Sequence, residues 1–156
     1  MAEPFPIEEF ALKLQPGARL LGFDLGTKTI GLALSDVTRA IATPYETLRR
    51  TKFTADAKSL ASIVDKEGVG GLVIGLPLNL DGTEGPRAQS TRAFARNLAQ
   101  HMDLPMAFWD ERLSTAAVER HLIEADASRK RRAEVVDRMA AAYILQGALD
   151  RMKSLT

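Results

Sequence analysis

From Leu20 onward, bulky apolar residues alternate with small or polar ones. Leu21, Phe23 and Leu25 share one parity against Gly22, Asp24 and Gly26; Ile30, Leu32 and Leu34 then stand against Gly31, Ala33 and Ser35. A period of two sends successive side chains to opposite faces, so Leu20 to Gly26 and Thr29 to Asp36 read as strands. The Thr27-Lys28 connection is short enough for a β-hairpin, although it lacks the Asn-Gly pair that such turns favour. A third short strand is expected around Ala40 to Leu48.

The period then changes. Phe53 to Glu67 has helical spacing through Ala57, Leu60, Ala61 and Val64, and Gly68 follows where a helix C-terminus favours glycine. Val69 to Leu76 is a continuous apolar run, the mark of a central strand covered on both faces. After the loop Pro77 to Gly85, Pro86 suits the first turn of a helix lined at intervals of four by Phe94, Leu98 and Met102. Pro105 to Asp110 is the fifth strand. Helices over roughly Ser114 to Ala125 and Arg132 to Met152 finish the chain, with Arg129-Lys130-Arg131-Arg132 as a basic loop between them. Residues 1–18 show no clear period and hold Pro4, Pro6 and Pro16, so they are expected to be a tail preceding one domain over 19–156.

The order βββαβαβαα predicts an α/β fold, a five-stranded mixed sheet with helices on both faces. Open sheets of this kind carry their sites outside the carboxyl ends of the strands, and Asp24 and Glu111 both fall near such ends.

A chain of 156 residues with 46% hydrophobic content can bury one continuous core. No run of about 18 apolar residues occurs, and Glu3, Glu8 and Glu9 stand where a signal peptide would be basic and then apolar. No cysteine is present, which excludes disulfides, thiolate metal sites and cysteine nucleophiles. A soluble cytoplasmic protein without a membrane partner is the expectation. The net charge of +1 does not by itself announce a polyanion partner, so a nucleic-acid interface must rest on local clusters. Two exist, the run at 129–132 and Arg49, Arg50 and Lys52; solvated surface charge is the plainer account of each.

Three acids interrupt the apolar pattern. Asp24 shares its strand face with glycines and small side chains, which leaves room beside a carboxylate for a metal ion and a phosphate; alternatively it caps the turn that follows. The strand Met106 to Trp109 runs straight into Asp110, Glu111 and Arg112, and alternation sends Asp110 and Glu111 to opposite faces without saying which joins Asp24. Asp137 precedes Ala140, Ala141, Ile144 and Ala148 on one helical stripe, where burial of a carboxylate calls for a cation and the alanines permit close approach to the sheet. The alternative is a first-turn acid favoured by the helix dipole and paired with Arg138 or Arg132. Carboxylates without a nearby histidine suit a hard ion, Mg²⁺ or Mn²⁺; two such ions about 4 Å apart could activate water and stabilise the leaving oxygen of a phosphoryl displacement. Lys28, Arg112 and Arg129 to Arg132 would then hold the substrate backbone, while His101 and His121 receive no role.

Residues 24–33 (Asp-Leu-Gly-Thr-Lys-Thr-Ile-Gly-Leu-Ala), 75–85 (Gly-Leu-Pro-Leu-Asn-Leu-Asp-Gly-Thr-Glu-Gly), 110–115 (Asp-Glu-Arg-Leu-Ser-Thr) and 136–146 (Val-Asp-Arg-Met-Ala-Ala-Ala-Tyr-Ile-Leu-Gln) together resemble the YqgF family, also called RuvX-like. The resemblance spans nearly the whole folded region and implies an RNase H-like fold, with Asp24, Glu111 and Asp137 matching the catalytic positions. It implies a nuclease acting at the 5′ end of pre-16S ribosomal RNA, working on ribosomal particles, with an earlier assignment as a Holliday junction resolvase. Many relatives carry a basic residue three before the helical aspartate. This chain has Glu134 there, one helical turn from Asp137, either a fourth metal ligand or a solvent-facing acid. Asp24-Leu-Gly-Thr is also similar to the phosphate cradle of the actin and sugar-kinase superfamily, but no second copy of the motif occurs. A nucleic-acid-binding module without activity is a further alternative. A resolvase cutting two symmetric strands would be a homodimer, whereas RNA end-processing permits a monomer; Leu113, Val118, Leu122 and Ile123 could supply a dimer patch or serve as core.

Overall fold

The alternating segments pair as their parity demands. The computed structural model describes residues 4–113 and 129–155, with side chains of the last helix given from residue 137. In chain order the elements are α1 (Ile7–Leu12), β1 (Arg19–Leu25), β2 (Thr29–Ser35), β3 (Ala42–Arg49), α2 (Phe53–Glu67), β4 (Val69–Leu76), α3 (Pro86–Ala99), β5 (Met106–Asp110), a single 3-10 turn (Glu111–Leu113) and α4 (Arg129–Ser154). The strands form one sheet in the order β3-β2-β1-β4-β5. β1, β2 and β3 are antiparallel neighbours, whereas β4 runs parallel to β1 and β5 parallel to β4. The carboxyl ends of β1, β4 and β5 therefore meet at one edge, bringing residues 24, 76 and 110 close in space.

The hairpin closes through the Gly26 N–H donating to the Thr29 carbonyl at 2.9 Å, with neither Thr27 nor Lys28 at positive φ. It is braced from outside, since the Arg50 N–H bonds the Lys28 carbonyl at 2.8 Å and the Arg50 guanidinium bonds the Gly26 carbonyl at 2.7 Å. Pro44 lies in the edge strand β3, where the register shifts between Leu32 and Ala33 of β2; edges and bulges are where a strand tolerates a missing donor. The edge is also covered by α4, whose Gln146 accepts from the Ala42 N–H at 2.8 Å and donates to the Ala40 carbonyl at 3.0 Å. Gly68 takes φ +67 and ends α2, its N–H bonded to the Val64 carbonyl. That left-handed conformation is why glycine belongs there.

The parity seen in the sequence becomes two cores. Leu21, Phe23, Ile30, Leu32, Leu72, Ile74 and Met106 pack on one side of the sheet against α2 and α3. Leu20, Ala33, Val73, Ala107 and Trp109 pack on the other against Ala140, Ala141, Ile144, Leu145 and Ala148 of α4.

Three expectations change. Residues 7–12 form a helix with Phe10 fully buried against the second core, and the Phe5 N–H bonds the Met106 carbonyl at 2.8 Å, so this lead-in segment docks on the sheet instead of trailing from it. Burying the Phe10 ring stabilises by roughly 2–3 kcal/mol over leaving it in water. Helix α3 stops at Ala99, and Met102 reaches the core from the turn beyond it. The run Arg129 to Arg132 is the first turn of α4 instead of a loop, since nothing in it breaks a helix. The helix expected over Ser114 to Ala125, with His121, Val118, Leu122 and Ile123, lies outside the described residues; Leu113 is exposed.

Candidate active site

Asp24 is the penultimate residue of β1, 5% exposed, and pairs across the ladder with Gly31. Its strand face is nearly bare. A Cβ added at Gly22 would stand 2.7 Å from the Leu145 Cβ, and one at Gly31 would stand 2.0 Å from the Asp137 carbonyl oxygen. Helix α4 therefore lies with its own backbone against these glycines, and Asp137 sits directly over the residue opposite Asp24. Directly paired strand residues have Cα atoms about 4.5–5.5 Å apart, so Asp24 and Asp137 are neighbours.

Glu111 arrives from β5. Gly75 of β4 pairs with Trp109, and a Cβ added at Gly75 would stand 3.3 Å from both Cγ and Oε1 of Glu111. Gly75 has the parity of Val73, on the α4 side, so Glu111 shares the face of Asp24. Asp110 points away, toward Arg112, whose guanidinium donates to it at 2.7 Å. This ion pair holds the Asp110 carboxyl below its ordinary range.

Asp137 is in the third turn of α4, too deep for the first-turn dipole effect to account for it. Its Oδ2 accepts a hydrogen bond from the Thr29 hydroxyl. Sequence pattern alone does not single out Thr29, yet a signal is present in it: Thr29 has the parity of Gly31 and Ala33 and so faces α4.

The expected cationic residues divide. Lys28 is exposed on the β1–β2 turn, next in sequence to Thr29, whose hydroxyl bonds Asp137. Arg112 is engaged with Asp110 and also donates to the Leu80 carbonyl at 3.2 Å, so it fastens the loop after β4 to the end of β5. Within that loop the Asp81 carboxylate accepts from the Thr83 N–H at 3.0 Å and from its hydroxyl, which lowers its pKa. Arg129, Lys130, Arg131 and Arg132 lie on the amino-terminal end of α4, two turns before Asp137. Glu134 lies between them. His101 packs on Phe53, centroids 5.4 Å apart, in the opposite layer.

Three carboxylates offer the oxygen-only donors that suit a hard divalent ion, but the glycine face beside Asp24, expected from the sequence to stand open, is covered by α4, because residues without a Cβ let that helix seat directly on the sheet. The carboxylates are not assembled into a cage: among the described residues no three His, Asp or Glu side chains form a metal-holding group. No helix among the described residues is long and apolar enough to cross a membrane.

The profile of the RuvX family, described as Holliday junction resolvase, matches residues 18–151. A protein of Paramagnetospirillum magneticum is 69% identical over 142 residues, 91% of this chain and 92% of its own length. One from Cereibacter sphaeroides is 64% identical over 146 residues, covering 94% and 91%. One from Ruegeria pomeroyi is 60% identical over 149 residues, covering 96% and 97%. All three carry the name "Putative pre-16S rRNA nuclease". Among solved structures, Thermus thermophilus RuvC in complex with a Holliday junction superposes with TM-score 0.56 at 13% identity, over 86% of this chain and 96% of that one. The yeast mitochondrial resolvase Ydc2 gives 0.52 at 12% identity, over 96% and 85%. Likeness at that identity speaks for the fold alone, and with the sheet order it establishes an RNase H-like fold. The sequence match across almost the whole chain goes further: this protein belongs to the RuvX family of nucleases.

Proposed function

We propose that the chain is a metal-dependent endonuclease that hydrolyses phosphodiester bonds at the 5′ end of pre-16S ribosomal RNA, using Asp24, Glu111 and Asp137. One observation carries this reading. Three acids, from β1, the end of β5 and α4, share one face at the carboxyl edge of the sheet, where the seat of α4 on Gly31 brings Asp137 beside Asp24 and Gly75 lets Glu111 lie over β4. The names of the relatives supply the substrate.

Mg²⁺ or Mn²⁺, as one or two ions, fits the oxygen-only donor set; when bound it lowers the pKa of an attacking water and neutralises the leaving oxygen. Asp24, Glu111 and Asp137 would hold it. Because they do not already form a cage, water and substrate oxygens would complete the shell, and Asp137 would exchange its bond from Thr29 for the ion. The buried Asp24 defines the position of the site, Glu111 bounds it over Gly75, and the close seat of α4 keeps bulk water from one side. Lys28 and the basic first turn of α4 hold the flanking backbone, and Arg112 acts on substrate through the loop it fastens. The protein works in the cytoplasm on ribosomal particles, and RNA end-processing asks for no dimer.

The family description favours a second reading, resolution of a Holliday junction, whose two symmetric cuts would call for a homodimer. Cleavage of a labelled 16S-precursor leader RNA and a labelled four-way DNA junction, each with Mg²⁺ or Mn²⁺, decides between them. RNA cutting that vanishes in Asp24→Asn supports the processing nuclease; paired symmetric cuts in the junction support the resolvase. Full activity in Asp24→Asn sinks the site assignment, and no cutting of either leaves a binding module.

A further inference from the structure

A cavity of about 530 Å³ opens between the β1–β2 turn and the start of α3, on the side of the sheet away from α4. Arg50 and Arg87 line it, with Thr27, Thr51 and Ser90 around them and Phe94 beneath. Among the described residues, no carboxylate lines it. Asp56, which bonds the lining residue Thr51, is buried and committed to it, accepting from its N–H at 3.1 Å and its hydroxyl at 2.9 Å. Two guanidiniums facing one space repel each other, an arrangement that an anion relieves.

Both arginines are set in position by the strand that carries Asp24. The Arg50 guanidinium bonds the Gly26 carbonyl at 2.7 Å and lies 5.5 Å above the Phe94 ring; the Arg87 guanidinium bonds the Leu25 carbonyl at 3.3 Å. A guanidinium has five donors, so one carbonyl each leaves donors over for an oxyanion. Leu25 and Gly26 directly follow Asp24, and two residues of strand span about 7 Å. An anion in the cavity is thereby held in register with the acids, just around the edge of the sheet from them. The spacing suits one phosphate of a strand whose neighbouring phosphate lies at Asp24.

Resting on the nuclease reading above, we infer that this cavity is a second backbone subsite, in which Arg50 and Arg87 grip a phosphate of the nucleic-acid strand adjacent to the one being cut. It reads no base, since guanidinium and hydroxyl donors aimed at phosphate carry no sequence information.

The test uses the full chain carrying Asp24→Asn, so that a labelled single-stranded RNA binds without being cut. Affinity is measured across a range of salt for this parent and for Arg50→Gln, Arg87→Gln, the double variant and Arg151→Gln. Arg151 lies on the far end of α4 against Glu8 and controls for net charge alone. Each cavity variant is expected to lose about tenfold in affinity at low salt. The double variant's slope of log affinity against log salt should fall by about 0.7, the value for one single-strand phosphate, while Arg151→Gln leaves slope and affinity unchanged. Arg50→Lys with Arg87→Lys should recover most of the slope, because lysine keeps the charge.

An unchanged slope in the double variant overturns the inference. So does a lysine pair that loses as much as the glutamine pair at an unchanged melting temperature, which would make the arginines carbonyl braces only. Cleavage by the Asp24-intact protein separates this inference from the function it rests on. Cutting with an unchanged slope keeps the nuclease and removes the subsite, and the expected slope change without cutting keeps the subsite and removes the nuclease. No RNA binding by the parent removes both.

Discussion

Gly31→Ala is the smallest change that should pull the candidate site apart. The added Cβ would stand 2.0 Å from the Asp137 carbonyl oxygen, 2.3 Å from its carbon and 3.0 Å from the Arg138 nitrogen. All three are helix backbone, so no side chain can rotate away. Restoring ordinary contact at about 3.4 Å moves α4 off β2 by more than 1 Å, and overpacking of this kind costs about 1–3 kcal/mol. For a chain of this size that lowers the melting temperature by roughly 3–10 °C. The same shift separates Asp137 from Asp24, and a misplacement of about 1 Å costs on the order of a hundredfold in turnover. Gly68→Ala is the control. Its Cβ meets open space but its φ of +67 is strained, so it should lose about 1 kcal/mol and no activity. Calorimetry alongside metal-dependent cleavage of leader RNA reads both effects. A Gly31→Ala protein with wild-type melting and wild-type turnover would refute the close seating of α4 as the determinant of the site.

Neutralising Arg129, Lys130, Arg131 and Arg132 together should weaken RNA binding and flatten its salt dependence by about 0.7 for each phosphate that the helix no longer holds; an unchanged slope makes that helical turn ordinary surface. Gly147→Ala would bring a Cβ to 2.8 Å from the Trp109 indole nitrogen, which is buried without a hydrogen-bond partner among the described residues. A destabilisation of about 1–3 kcal/mol is expected, with a shift in emission from the protein's only tryptophan, and unaltered emission and melting would contradict that packing. The Asp36 carboxyl, accepting from the Ile41 and Ala40 N–H groups and the Thr38 hydroxyl, is held at about 2. Because the folded value is depressed, its contribution is present above the unfolded carboxyl value and is lost as pH falls toward 2. An NMR titration of the Asp36 carboxyl finding an ordinary midpoint near 4 would contradict those bonds.

Period-two alternation in residues 20–36 was enough to find the hairpin and its bulky and bare faces, because strand parity depends only on chain geometry. The helical spacing of Phe53 to Glu67 with Gly68 beyond it located α2 to the residue, since a left-handed cap leaves a local mark. The stripe Ala140, Ala141, Ile144 and Ala148 likewise showed which side of α4 meets the sheet. Local pattern ran out where partners are distant in sequence. It could not choose between Asp110 and Glu111, since only the β4–β5 register, with Gly75 opposite Trp109, says which acid turns toward Asp24. It left residues 7–12 as a tail because a six-residue helix is held by the core it docks on and by little of its own. It took Arg50 for one member of a surface cluster, whereas the fold bonds that arginine to Gly26 and sets Arg87, from a helix far along the chain, beside it across one cavity. The chain's own periodicities determined its strands, the helices α2, α3 and α4 and the faces they bury; which charged groups meet was decided only by tertiary packing, because that depends on register between segments that no local pattern connects.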